Sequence, residues 1–528
     1  MHSGNPLYFR ASLHVIAAAA AAACLGTTTD ADAAVVISSD ATQNMTCSGG
    51  VCAPTAANAV LNTSDLENLL AAGNAEVTTT GAGVQAKDIQ VKAPVTWSSG
   101  SMLTLDAFKS ITIDQPVSIT GLAGLALDTN DGGRNGTLSF GAKGNVTFAN
   151  LASGLTIDGS AYVLVGDLKT LASDIASNPG GDFALAGCYD ASGDGTYNGS
   201  VVSTEYFGIF TGLGNTISNP SIVGGHERGV GNGMFALVGN TGVLENIGIV
   251  NANIVATEAV KYVNAGPLAG DNSGTIAFAY STGSVTIGKD SQAGGLVGIN
   301  AGIITNSYAK TDVAGKGTDI YIGGLVGYDD PTATIANSHA SGALSLSGGA
   351  ANLAGGLVGG NFGTVETSYA TGNVRAANNQ SPADSCHLGG LAGTNDGPVS
   401  SSYASGAVRG GNYSVDGGLI GQNYNTIASS YSTGAVQGGA TGSIVGGLIG
   451  YDGAQAGSLS DTYWDTDTSG VTNLSQGAGN ITNDPGITGL TTAQFQSGLP
   501  QGFDPKIWAE KANIIDGFPY LRTNPPSK

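Results

Sequence analysis

Gly294-Gly295-Leu296-Val297-Gly298 recurs as Gly323 to Gly327, Gly355 to Gly359, Gly389 to Gly393, Gly417 to Gly421 and Gly446 to Gly450, with a degenerate copy from Ala265 to Gly270. The second residue of the motif falls at 266, 295, 324, 356, 390, 418 and 447, a period of 28 to 34 residues. Such a period marks a repeated supersecondary unit.

Each copy carries two further landmarks. Two residues after the last glycine stands Asn272, Asn300, Asp329, Asn361, Asn395, Asn423 or Asp452. Further on comes a ring position, held by Tyr280, Tyr308, His339, Tyr369, Tyr403, Tyr431 and Tyr463. Helix is excluded for these units, because glycine costs about 1 kcal/mol per helical position and no 3.6-residue apolar stripe is present. Short strands separated by Gly, Asn, Asp and Ser turns fit instead. One unit buries too little to offset the backbone entropy of some 30 residues at about 1 kcal/mol each, so the units must stack. Stacking at about 4.8 Å per coil predicts an internal ladder of Leu268, Leu296, Leu325, Leu357, Leu391, Leu419 and Leu448, with parallel rows of rings and of Asn/Asp. The fold class that follows is all-β, a parallel β-helix (β-solenoid) with short capping helices.

Composition agrees. Of 528 residues, 85 are glycine and 41% are apolar, too hydrophobic for a disordered chain. Acidic residues outnumber basic ones 39 to 18, for a net charge of -21. No Lys/Arg cluster is present to hold a phosphate backbone, so nucleic acid is not an expected partner. Arg10, the apolar stretch Leu13 to Leu25 and the small residues ending at Ala33 read as a secretory signal over 1–33, with an alanine-rich helix as the alternative. Cys24 lacks the branched apolar residue of a lipoprotein signal three positions earlier. Export allows disulfides, and Cys47 and Cys52 are spaced to close a small ring, whereas Cys188 and Cys386 are isolated.

The region 34–250 lacks the strict period but has closely spaced β-rich segments, among them Ile89 to Val91, Val95 to Trp97, Leu103 to Leu105, Ile111 to Ile113 and Val117 to Ile119. These read as irregular coils of the same solenoid, with a compact sandwich as the alternative. Ser64 and Glu67 form a capping-box pattern for a helix at about 65–72 that covers the open end, stopped by Gly73. Leu168, Leu171 and Ile175 share a second helical face. Residues 251–470 form the repeat solenoid, and 471–528, with Trp508 and Phe518-Pro519-Tyr520, read as the cap at the other end.

The units Gly355 to Asn361 and Ser368 to Gly372 resemble the GLUG repeat of filamentous-haemagglutinin-like adhesins. The segment Tyr463 to Gly470, with Gly489 to Gln494 after it, is similar to the one that ends such arrays. A weaker resemblance reaches upstream through Phe183 to Leu185 and Phe210 to Ile217. It implies a parallel β-helix, Gram-negative export through an outer-membrane secretion partner, and attachment to host-cell, bacterial or matrix surfaces through glycan or protein. It implies a secreted or outer-surface location, no catalytic residues and no cofactor.

Other chemistry is weighed against that reading. A carbohydrate-active enzyme on a β-helix needs paired carboxylates, or a carboxylate with Ca²⁺ and a base. Asp461, Asp465 and Asp467 are close in sequence, but no basic residue accompanies them. Asp190 to Gly195, with carboxylates at Asp190 and Asp194, resembles the start of a calcium loop, yet Val201 stands where the bidentate Glu belongs. His226-Glu227 lacks a second histidine, its position being Val230. His339 is expected to stack in place of a tyrosine. The tyrosine row is expected either to pack between coils or to offer a carbohydrate-stacking surface. The sequence assigns no metal site and does not single out ligand-contact residues. The leading expectation is an adhesin-like protein, the alternatives being a carbohydrate-active β-helix enzyme or a surface spacer.

Overall fold

The computed structural model describes residues 33–224, 231–257, 262–378, 381 and 385–526. Residues 1–32, which hold Cys24 and nearly all of the expected secretory signal, and the His226 to Val230 stretch lie outside the described residues.

The chain winds as a parallel β-helix. One coil of the repeat runs through strands Gln292–Gly294, Val297–Asn300, Ile303–Thr305 and Tyr308–Lys316. The next lays Tyr321–Gly323, Val326–Asp329, Thr334–Ala336 and His339–Ala340 onto it in parallel. Two faces of this solenoid are eight-stranded sheets. Because every coil keeps register, like stacks on like. Ile276, Ile304, Ile335, Val365, Val399, Ile427 and Leu459 are successive partners across six coil junctions. All seven predicted leucines are fully buried. All but the last donate their backbone N–H to the leucine carbonyl of the next coil, from Leu268 to Leu296 (3.1 Å) through Leu419 to Leu448 (2.8 Å). At roughly 2 kcal/mol per buried side chain, this row supplies a large part of the interior.

The second motif glycine has a steric cause. A Cβ at Gly324 would lie 2.0 Å from the Gly356 carbonyl oxygen and 2.8 Å from the Cβ of Ala340. Gly356 and Gly390 meet the coil above in the same way, against Ala370 and Ala404. The glycine and the small residue after the tyrosine are therefore one requirement, close approach of backbone across the core. In the last coil that small residue becomes Trp464. Its fully buried indole donates to the Val471 carbonyl (3.1 Å) and plugs the end, while Ile487–Leu490 adds a strand on top.

The Asn/Asp row is internal as well. Asn272 donates to Asn300, Asn300 to Asp329, Asn395 to Asn423 and Asn423 to Asp452, each at 2.8 Å. Asn361 joins the row 2.7 Å from Asn395. Each buried amide is satisfied by its neighbour one coil away, which is what burial demands of polar groups.

The N-terminal region is also a parallel solenoid, not a sandwich. Three sheets pair Ile89 with Ile111 and Leu138, Val95 with Val117 and Val146, and Leu103 with Leu125 and Leu155. Helix α1, Thr63–Ala72, lies at its start and buries Leu66 and Leu70, with Gly73 as its stop. The expected capping box is not formed. Asn62 caps the helix through Ser64 N–H (2.9 Å), and Glu67 instead accepts from Thr96 N–H (2.8 Å), an edge-strand donor that would otherwise lack a partner. Helix α2, Leu168–Ser177, buries Leu168, Leu171 and Ile175 where the three-sheet core gives way to the repeat core. Asn215 ties the two together, its amide donating to Val146 O (2.7 Å) and Leu185 O (3.2 Å). Cys47 and Cys52 are paired in a disulfide across the antiparallel hairpin Met45–Ser48 and Val51–Pro54.

The expected cap over 471–528 divides in two: Gln476, Gly477 and the strand Ile487–Leu490 lie on the last coil, and the remainder does not. After helix α3, Thr492–Phe495, the chain turns back and runs along the flank of the solenoid.

Candidate functional site

Two aromatic rows run along the repeat solenoid, and their chemistry differs. The first is the predicted ring ladder. Tyr280, Tyr308, His339, Tyr369, Tyr403 and Tyr431 follow one another at centroid distances of 5.0, 5.0, 4.6, 4.8 and 5.1 Å, with ring planes 3 to 7° apart. Ring faces are used up against each other, and only edges and hydroxyls point outward. His339 stacks as expected, and burial pushes its imidazole down to about 4, so it is neutral at pH 7. The C-terminal segment covers much of this row. Phe495, Phe503, Trp508 and Leu521 bury Tyr369, Tyr403, Tyr431 and Tyr463. A sugar stacks on a ring face, so the ladder is not the carbohydrate platform entertained from the sequence.

The second row was not singled out in the sequence. In each coil the strand before the motif leucine and the strand after it fold back on each other, placing an outward residue of one beside an outward residue seven positions later. Asn264 bonds Asp271 there (2.6 Å), and Tyr321 lies beside Tyr328 (6.1 Å). Along the second strand the register runs Tyr328, Gly360, Thr394, Gln422, Tyr451. Phe362 leans toward Tyr328 (5.0 Å, 33°), and Tyr321, Tyr328 and Phe362 surround the bare Gly360. Two coils further, Tyr424 is 46% exposed, takes a hydrogen bond from Gln422 and lies with Tyr451 over Gly453.

The arrangement is a shallow trough. Tyr321, Tyr328 and Phe362 stand at one end, Tyr424 and Tyr451 at the other, and Gly360 and Thr394 form the floor. Asp396 lies between the two groups: after burial, its charge helps raise the phenols of Tyr321, Tyr328 and Tyr424. Burial also pushes the Asp396 carboxyl up. His387 occupies the position paired with Thr394, and its Nδ1 is buried without a hydrogen-bond partner. Tyr321 and Tyr328 stack loosely at 26° and Phe362 is tilted against them, so the row is no continuous face-to-face column, and its rings with an amide, a hydroxyl, an imidazole and a carboxylate among them suit a polyhydroxylated ring compound.

The acidic candidates have structural partners. Asp190 Oδ1 caps a short 3₁₀ turn through Ser192 N–H (3.0 Å) and accepts from Asn219 (2.8 Å). Asp194 accepts from the hydroxyls of Tyr189 (2.8 Å) and Tyr197 (2.5 Å). Among the described residues no three His, Cys, Asp or Glu side chains converge as metal ligands. Asp465 is fully buried and binds Asp467 N–H (2.8 Å) and Thr492 Oγ1 (2.7 Å), while Asp467 accepts from Thr492 N–H (3.0 Å). These two clip α3 to the last coil. Asp461 sits apart, against Gly502.

Comparison with known proteins gives a family-model match to the GLUG motif over residues 350–375. A stretch of 99 residues is 35% identical to halomucin of Haloquadratum walsbyi, covering 19% of this chain and 1% of that protein. The chain thus spans a very small part of this relative. Two solved structures are similar: a candidate immunoglobulin A1 protease from Bacteroides ovatus (16% identity, 69% of this chain, 92% of that one, TM-score 0.37) and an IgA1 protease (18%, 50% and 21%, TM-score 0.37). At those scores the likeness carries no inference about activity.

Proposed function

We propose that this chain is a secreted or cell-surface repeat protein that attaches to a polysaccharide, using the outward trough between Tyr328 and Tyr451 as its contact. The observation that carries this is the trough itself. Its rings form no continuous face-to-face column, Tyr424 is exposed, and its two aromatic groups are about 10 Å apart at the strand spacing of a β-helix, the span of a few linked sugar rings. The GLUG motif and the halomucin likeness support a place at the cell surface. A repetitive solenoid also serves attachment, because it displays a contact on a stiff rod.

The test is retention of the full chain on a panel of immobilised cell-wall and matrix polysaccharides, with Tyr328→Ala and Tyr424→Ala beside the parent. Each substitution is expected to weaken binding about tenfold without moving the melting temperature, as loss of a central aromatic contact does. Binding that ignores both substitutions would sink the trough as the contact. New reducing ends or unsaturated products in the same incubations would turn the reading to a carbohydrate-active enzyme. Protease shaving of intact producing cells tests display directly.

A further inference from the structure

The C-terminal segment shows what the ring ladder binds. Trp508 meets the edges of Tyr403 and Tyr431 at 6.1 and 5.8 Å with planes 52 and 54° apart, and Phe495 meets Tyr431 at 5.4 Å and 42°. Two of the covered tyrosine hydroxyls donate to backbone carbonyls of the segment, Tyr431 to Pro519 and Tyr463 to Gln501 (2.8 Å), while that of Tyr403 is buried with no hydrogen-bond partner. At the far end Thr523 bonds Asn337 Oδ1 (2.8 Å), and Asn524 bonds Ser338 O (3.0 Å) and lies 3.1 Å from His339 Nδ1. The ladder is thus a seat for polypeptide: edges for aromatic side chains, hydroxyls for peptide carbonyls.

The ring row runs on past His339, the ring beside which Asn524 lies. Beyond His339 the stack continues through Tyr308 and Tyr280, both only partly buried, in the same register and at the same spacing. It ends at Gly248, where a Cβ would lie 2.3 Å from the Tyr280 ring. The anchoring pair Asn337 and Ser338 also repeats one coil earlier as Asn306 and Ser307, with Asn306 and Asn337 both in the left-handed conformation at φ 50 and 49°.

We propose that Tyr280 and Tyr308, with Asn306 and Ser307, form a docking site for an extended, aromatic-bearing segment of a partner protein. The occupant is defined by continuity with the seat already filled. Its aromatic side chain packs on the two ring edges as Trp508 does on Tyr403 and Tyr431. One of its carbonyls accepts from the Tyr308 hydroxyl, as Pro519 does from Tyr431, and a polar side chain reaches Asn306 as Thr523 reaches Asn337. This does not depend on the polysaccharide reading, which concerns the other row.

A synthetic peptide of residues 500–524 is the probe, titrated onto the full chain and followed by calorimetry. In the parent the home seat is already occupied, so added peptide reports the open end. Saturable binding is expected, weakened about tenfold by Tyr280→Ala with Tyr308→Ala. Tyr308→Phe keeps the stack and removes one donor, so it is expected to weaken binding about fivefold with an unchanged melting temperature. Tyr431→Phe, in the covered half, is expected to leave affinity unchanged. Absence of binding, binding indifferent to Tyr308→Phe, or binding lost in Tyr431→Phe would each overturn the proposal.

Discussion

The two halves of this β-helix fill their interiors by different means. In the three-sheet coils from Ala34 to Ile157, buried and half-exposed residues alternate along strands such as Met102–Asp106, Ile111–Ile113 and Val117–Ile119, and the core is built largely of Val, Ile, Leu, Phe148 and Trp97. In the repeat coils part of the interior is backbone against backbone at glycine, and part is a column of amides bonded coil to coil. An apolar interior tolerates changes of side chain provided volume is kept. An interior made of close backbone contacts and matched amides does not, because each requirement is met only by one or two residue types. That explains why the second half carries a visible repeat and the first does not.

The sharpest way to break this comparison is a glycine pair. Gly356→Val drives a side chain into the Gly390 carbonyl and is expected to cost about 4 kcal/mol or more, the range of severe core disruption. Gly154 in the first half has open space within 4 Å of where a Cβ would stand, so Gly154→Ala is expected to stay within about 0.5 kcal/mol. Urea unfolding of both variants decides the matter, and equal losses would refute the distinction.

A smaller effect belongs to the amide column. Asn395→Leu leaves the amides of Asn361 and Asn423 each short of a buried partner and is expected to cost about 2 to 3 kcal/mol. Its counterpart in the apolar half, Ile113→Val, is expected to cost about 1 kcal/mol. An Asn395→Leu protein as stable as the parent would show that the column does not hold the coils together.

The smallest effect is a pH dependence. Burial lifts the carboxyls of Glu245, Asp271 and Asp416 to about 7. Unfolded carboxyls release their protons near pH 4, so between about pH 4 and 7 the folded chain holds more protons than the unfolded one. Their contribution is fully present at the acid end and is lost as pH rises toward 7. His339 and His387, lowered by burial, act oppositely and lose stability as pH falls below about 6.5. Burial raises Asp484 and Asp329 as well, so the raised carboxyls outnumber the two lowered imidazoles and melting temperature is expected to be higher near pH 5.5 than near pH 8. Asp416, fully buried at a position that is Ala354 and Leu388 in the two coils before it, makes the clean control. Asp416→Asn is expected to flatten the slope, and an unchanged slope would remove it as a cause.

The repeat landmarks were legible because stacking turns a sequence period into spatial rows. Leucine, ring and amide positions all emerge as columns at the predicted places, and His339 takes a tyrosine's place in the stack. The outward trough was not legible. Tyr328, Phe362, Asp396, Tyr424 and Tyr451 occupy positions that vary from coil to coil, so no motif marks them, and they meet only because the register stacks unlike residues there.

By itself, the sequence determined that the chain must coil and what each coil must place inside, since one unit of some 30 residues cannot bury enough surface to stand alone. Only the tertiary structure decided which rows face outward and which are covered. Trp508 and Phe518 could equally have closed the end of the rod. They lie on its flank because Trp464 already plugs the core, while the ring edges of Tyr403 and Tyr431 and the hydroxyls of Tyr431 and Tyr463 offer aromatic and carbonyl groups a matched surface.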